Sequence, residues 1–97
     1  MKINLPSHIQ CLTLASIGTE EVTGNTLRAR LLEAGIVSEG PAFYQMMKRL
    51  EADGLTVGRY AQVETSRQPV TIHCYTTTEK GRATLAAVVE FYRGFVK

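Results

Sequence analysis

The 97-residue sequence has no tryptophan, three prolines and only two cysteines, Cys11 and Cys74, which form no CxxC pair. That excludes a disulfide-stapled scaffold; two mostly buried thiols in a reducing cytosol are the simplest reading. Long apolar runs are missing too. No stretch approaches the roughly 20 residues that span a bilayer, and the opening MKINLPSHIQ does not read as a signal peptide. The expected compartment is the cytoplasm, with no membrane partner. Soft metal ligands are equally scarce: His8, His73, Cys11 and Cys74. Neighbours on a strand, His73 and Cys74 point to opposite faces and cannot hold one ion together, and a zinc site needs at least three converging ligands. Nothing supplies an oxyanion hole or an orienting group for a Cys–His nucleophile pair, no carboxylates converge, and there is no phosphate-cradling glycine loop. Neither an enzyme nor a metal- or cofactor-dependent protein is expected.

Charge of one sign is also nearly absent, the formal net charge being +2. Its distribution says more than its size. Residues 1–39 hold three Lys/Arg against four Asp/Glu, and residues 40–97 hold eight against five, so the halves carry −1 and +3. At 44% hydrophobic and 21% charged, the composition is that of a globular chain. Its length makes one domain, residues 1–97, with a modest core.

The clearest pattern is GPAFYQMMKRLEADGLTVG, residues 40–58. Pro41 suits a first helical turn. Phe43, Met46, Met47 and Leu50 recur at three- and four-residue spacing and build one apolar face. Gly54 stands where a left-handed C-cap belongs, and Leu55-Thr-Val57 then alternates as a strand does. Before this segment, about Pro6 to Ile17 reads as a first helix with Ile9, Leu12 and Ile17 inward and Leu5, Cys11, Leu14 and Ala15 widening the stripe. Gly18-Thr-Glu-Glu is a polar break. A second helix begins near Thr23, a good N-cap, turns Leu27, Leu31 and Leu32 to the core and Arg28 and Arg30 outward, and ends at Gly35. The short connection Ile36–Gly40 leads into the third helix as in a helix-turn-helix, with Ser38 placed as its N-cap or as a phosphate contact.

After the third helix, Leu55 to about Glu64 and Val70 to about Thr77 read as a two-stranded hairpin rich in β-formers, with Arg67 at its tip. A last helix starts at Thr77 or Thr78, with Glu79 in its dipole-favoured first turn. Its stripe of Leu85, Val88, Val89, Tyr92, Phe95 and Val96 runs to the chain end. Closing a small core needs only part of that stripe; the rest, with Phe91 beside it, is expected to pack on a second copy. The fold class is α+β, mainly α: a winged helix-turn-helix, with core and wing over about 6–77 and a C-terminal dimerisation helix over about 78–97.

Two strings carry a family resemblance. GPAFYQMMKRLEADGL resembles the stretch of PadR-family regulators in which a turn leads to an aromatic pair, a Lys-Arg-Leu-Glu run and a Gly-Leu exit. CYTTTEKGRATLAAV resembles the Tyr-x-Leu-Thr-x-x-Gly start of that family's last helix. The resemblance implies a homodimeric repressor of the compact subclass, bound to a palindromic double-stranded operator. It places Tyr44 and Lys48 near phosphates and basic wing-tip residues in the minor groove, and in some members a flat aromatic effector enters a pore between protomers and releases DNA. Phe91, Tyr92 and Phe95 are the residues that could line such a pore here. Gln45 is the residue set to read a base edge, Arg49 joins Lys48, and Arg28 and Arg30 flank them. Departures are plain: SRQPVTIHCYT replaces the usual glycine-rich basic wing tip, and the last helix is short. The competing reading keeps the fold but makes it a protein-interaction module, an adaptor or antagonist of another regulator.

Overall fold

The computed structural model describes residues 7–37 and 39–96. In chain order the elements are α1 (His8–Ile17), β1 (Val22–Thr23), α2 (Gly24–Glu33), α3 (Gly40–Ala52), β2 (Thr56–Val63), β3 (Val70–Thr77) and α4 (Glu79–Arg93). The strands form one antiparallel sheet in the order β1-β3-β2. In the long hairpin Thr56 faces Thr77 and Val63 faces Val70. On the other side of β3, Val22 and Thr23 face Tyr75 and Cys74. The sheet is therefore three-stranded, not the two-stranded wing expected. Two residues carry no alternation to read, and β1 exists because the β3 edge is there to pair with it.

Local chemistry sets most boundaries. Ser7 opens α1 through a capping box: its hydroxyl accepts from the Gln10 N–H (3.1 Å) while the Gln10 side chain accepts from the Ser7 N–H (2.9 Å). The expected start near Pro6, like Leu5, lies outside the described residues. Thr23 caps α2 as anticipated. The chain leaves α2 at Gly35 in a Schellman turn, the Ile36 N–H reaching the Leu31 carbonyl (2.9 Å). This turn swings Ile36 against the core, and Leu32, assigned to the core by spacing, is 60% exposed instead. The N-cap of α3 is Glu39, which makes no side-chain cap bond, and Pro41 occupies its first turn. Ser38, the expected cap, lies outside the described residues. Gly54 ends α3 with φ +75°, and the Leu55 N–H returns to the Leu50 carbonyl (2.9 Å), as the sequence suggested.

The core is Leu14, Ile17, Val22, Leu27, Leu31, Phe43, Met47, Leu50, Leu55 and Tyr75. On α1, Thr13 takes the buried position that the pattern gave to Ile9, which is exposed. Its hydroxyl is satisfied one turn back by the Ile9 carbonyl (2.7 Å) and touches the Met46 sulfur (3.4 Å). Helix α4 is capped by Thr78 and stops at Arg93, with Gly94 at its C-cap. Phe95 and Val96 thus lie beyond the helix that was expected to carry them, because glycine at 94 loses the most entropy on joining a helix. Gly81 is the one buried residue among the described residues of α4. A Cβ there would collide with the Leu55 carbonyl, so only a glycine lets α4 lie so close to the start of β2.

Gly81→Ala should cost about 1–3 kcal/mol through overpacking against backbone. Urea unfolding should show a lower midpoint at an unchanged slope; an unaltered midpoint would contradict the close approach.

Candidate nucleic-acid interface

The apolar side of α3 is wholly engaged, with Phe43, Met47 and Leu50 buried. Its opposite side presents Tyr44, Gln45, Lys48 and Arg49, all exposed or partly so. Tyr44 and Lys48, like Gln45 and Arg49, are one turn apart and form a compact patch. Two adjacent aromatics cannot share one face, and the structure divides them as that rule requires: Phe43 is 1% and Tyr44 48% exposed. Their rings meet edge-on at 5.6 Å.

The two arginines of α2 part company, being about 200° apart around the helix. Arg30 donates to the Ser16 carbonyl of α1 (2.8 Å) and belongs to the packing of the first two helices. Arg28 turns toward α3, its guanidinium carbon 4.6 Å from the Phe43 centroid and 5.1 Å from that of Tyr44. Arg67 is exposed in the bend between β2 and β3. There the Thr65 hydroxyl accepts from the backbone N–H groups of Arg67 (3.3 Å) and Gln68 (3.2 Å), a local turn of the Ser/Thr type.

The sequence did not single out the wing root as part of this surface. Tyr75 packs edge-on against Phe43 at 6.0 Å. His73 lies 4.3 Å from both Tyr75 and Tyr60, stacked on the latter. The Tyr75 hydroxyl and His73 Nδ1 share a hydrogen bond of 3.0 Å. A continuous line of rings, Tyr44–Phe43–Tyr75–His73–Tyr60, therefore joins the exposed face of α3 to β2. Alternation of His73 and Tyr75 on β3 was the available signal, since residues two apart share a face. Burial pushes the Tyr75 phenol up to about 12, with Tyr44, Glu51 and Tyr60 adding and Arg28 opposing. Elsewhere on the sheet Arg59 grips Glu21 through two hydrogen bonds (2.5 and 2.6 Å), which holds the Glu21 carboxyl below its ordinary range.

The cations sort cleanly. Arg30, Arg59, Lys80, Arg82 and Arg93 each donate to a carbonyl, hydroxyl or carboxylate of the chain, and Arg28 stands on two rings. Among the described residues, Lys48, Arg49 and Arg67 alone of the Lys/Arg side chains have no partner. Those three lie on the exposed face of α3 and at the wing tip.

Helix α4 bears the other exposed feature. Leu85 and Val88 are half-buried, while Val89, Phe91, Tyr92, Phe95 and Val96 are exposed. A groove of about 430 Å³ between α1 and α4 is lined by Cys11, Val88, Phe91 and Tyr92 among others. Of the three residues expected around an effector, Phe91 and Tyr92 line it, and Phe95 packs on Phe91 at 5.1 Å. Among the described residues no group of three His, Cys, Asp or Glu could hold a metal, and no helix is long and apolar enough to cross a membrane.

A helix-turn-helix followed by a β hairpin and a closing helix defines the winged-helix class of DNA-binding domains. Within that class the fold is PadR-like. A PadR-family transcription regulator from Clostridium difficile R20291 superposes with a TM-score of 0.77 at 18% identity, over 92% of this chain and 91% of that one. One from Eggerthella lenta DSM 2243 does so at 0.70 and 26% identity, over 90% and 73%. Bacillus subtilis PadR, solved in complex with operator DNA, matches at 0.68 and 16% identity, over 84% of this chain and 46% of that one. No protein-family sequence model and no curated protein sequence matches the chain.

Tyr75 generates a pH prediction. Its folded-state pKa lies above the ordinary value of 10, so the neutral phenol is the form the fold favours. The stability this contributes is fully present below pH 10 and is lost as pH rises toward about 12. Urea unfolding across that window should show a decline that is smaller in Tyr75→Phe; equal declines would remove Tyr75 as the titrating group.

Proposed function

We propose that this chain is a DNA-binding transcription regulator acting as a homodimeric repressor, with α3 in the major groove and Arg67 at the neighbouring backbone or minor groove. One observation carries this reading: the described Lys/Arg side chains without an internal partner are Lys48, Arg49 and Arg67, gathered on the face that a winged helix turns to DNA. The other described cations are engaged by groups of the chain itself; these are left for phosphates, whose neutralisation supplies most of the sequence-independent affinity. Gln45 stands beside them with the amide geometry that pairs with adenine. The likeness to a PadR solved on its operator supports the same assignment.

Exposed apolar residues on α4 support a second copy as the partner of that helix, since contiguous apolar patches on a small protein mark interaction sites. A flat aromatic effector would enter the pore that two copies enclose beside Phe91, Tyr92 and Phe95, and the lining of the α1–α4 groove by Phe91 and Tyr92 supports this. A poorly charged wing favours the alternative, an adaptor that binds another regulator instead of DNA, and the same experiment separates the two.

Binding to the duplex upstream of the protein's own gene should weaken steeply with salt and exceed binding to a random duplex. In Lys48→Ala/Arg49→Ala the slope of log affinity against log salt should become shallower by roughly 1–2, about 0.9 for each phosphate no longer neutralised. An unchanged slope would remove α3 from the interface, and no duplex binding at low salt would favour the adaptor. For the dimer, Val89→Glu/Tyr92→Glu should sediment as a monomer and lose operator binding; a dimer that survives would place the interface elsewhere.

A further inference from the structure

Arg28 is spoken for in a way that an operator-facing arginine need not be. Its guanidinium sits in the corner of the edge-to-face pair formed by Phe43 and Tyr44, whose planes are inclined at 76°. Both centroids are within the roughly 6 Å over which a cation is attracted to a ring face. Its Nε is buried and has no hydrogen-bond acceptor among the described residues. That atom is one of the two donors of the side-on edge through which an arginine grips a phosphate bidentately, so that donor is withdrawn from solvent. Arg30, two residues on, is tied to the Ser16 carbonyl and cannot share the task.

Tyr44 is the complementary half of the observation. It is half-exposed on the face that carries Gln45, Lys48 and Arg49, where an unsupported tyrosine would sample several rotamers. Phe43 braces it from one side and Arg28 from another. We propose that Arg28 is a positioning residue of the recognition surface, which holds Tyr44 in its DNA-competent rotamer and is not itself a phosphate ligand. This rests on the DNA-binding reading above and adds to it a division of labour: Lys48, Arg49 and Arg67 neutralise, whereas Arg28 preorganises. Fixing a DNA-facing side chain before binding saves the ordering cost at the moment of association. Lysine cannot replace it, because a compact ammonium on a flexible stem does not stack as a planar guanidinium does.

Operator binding by the full chain, measured over a salt series, tests this with Arg28→Met, Arg28→Lys, Tyr44→Ala and the double variant Arg28→Met/Tyr44→Ala. Arg28→Met should bind roughly 2- to 30-fold more weakly, the range a cation–π contact spans, at an unchanged salt slope. Arg28→Lys should not restore affinity. In the Tyr44→Ala background, Arg28→Met should change affinity no further. A purely structural role would lower the melting temperature and weaken binding equally in both backgrounds, which overturns the proposal. A slope shallower by about 0.9 in Arg28→Met, recovered by Arg28→Lys, would make Arg28 a phosphate ligand and overturn it as well. Failure of the wild-type chain to bind any duplex is a separate result and would sink the DNA-binding reading together with this one.

Discussion

The backbone of Leu55 is where the architecture is held together. Its N–H closes α3 by returning to Leu50, and its carbonyl accepts from the Thr78 N–H (3.0 Å) at the mouth of α4. Around that pair, the Thr78 hydroxyl donates to the Gly54 carbonyl (2.6 Å) and accepts from the Gly81 N–H (2.9 Å), while Lys80 donates to the Asp53 carbonyl (2.8 Å). The stop of the third helix is thus the seat of the fourth. One residue back, Thr77 donates to the Gly18 carbonyl (2.8 Å) and brings the end of α1 into the same knot. Each bond is worth about 1 kcal/mol net. Together they satisfy the carbonyls of Asp53, Gly54 and Leu55, and a group left unpaired inside such a junction costs more than any one bond contributes. The direction in which α3 points from the body is fixed here, together with the direction of α4.

From that seat the hairpin leaves with its register already set, Thr56 opposite Thr77. A one-residue slip would turn Tyr75 away from Phe43, against which it packs. Tyr75 is what the register protects: it packs on Phe43 beneath the exposed face of α3 and bonds His73 beneath the wing. Helix and wing are therefore related through rings as well as through the turn, so that a surface made of two elements behaves as one.

Much of this was legible in the sequence where a side chain obeys a local rule. The α3 stripe, its left-handed stop, both hairpin boundaries and the Thr78 cap follow from period, glycine placement and N-cap chemistry, which act over a few residues. What was not legible depends on a neighbour distant in sequence. Val22 and Thr23 are a strand only because β3 offers an edge. Thr13 is buried only because a carbonyl one turn back and a sulfur on α3 absorb its hydroxyl. Leu32 fits the helical stripe as well as Leu31 does, but the turn at Gly35 brings Ile36 inward and leaves Leu32 outside. Of the candidate site, Tyr44, Gln45, Lys48, Arg49 and Arg67 could be proposed because they fall on the side opposite an obvious stripe or at an obvious tip. Arg28 and Arg30 look alike in sequence, and only the packing of α2 between α1 and α3 separates them.

The same separation explains why the small net charge is a poor guide to this protein. Net charge counts Arg59 with Glu21 and Arg93 with Glu90, pairs that nearly cancel beyond a Debye length of about 8 Å at physiological salt. Lys80 and Arg82 donate to carbonyls at the root of α4, which fixes where their charge sits without cancelling it. With those set aside, the cations of α3 and the wing tip keep no carboxylate partner among the described residues. A duplex approaching within a few ångströms meets the local field, to which charges on the far side contribute little. A chain of formal charge +2 can in this way keep unpaired cations on α3 and at the wing tip, while Glu21 and Glu90 answer Arg59 and Arg93 elsewhere. That sorting is a property of the fold, and no count of residues contains it.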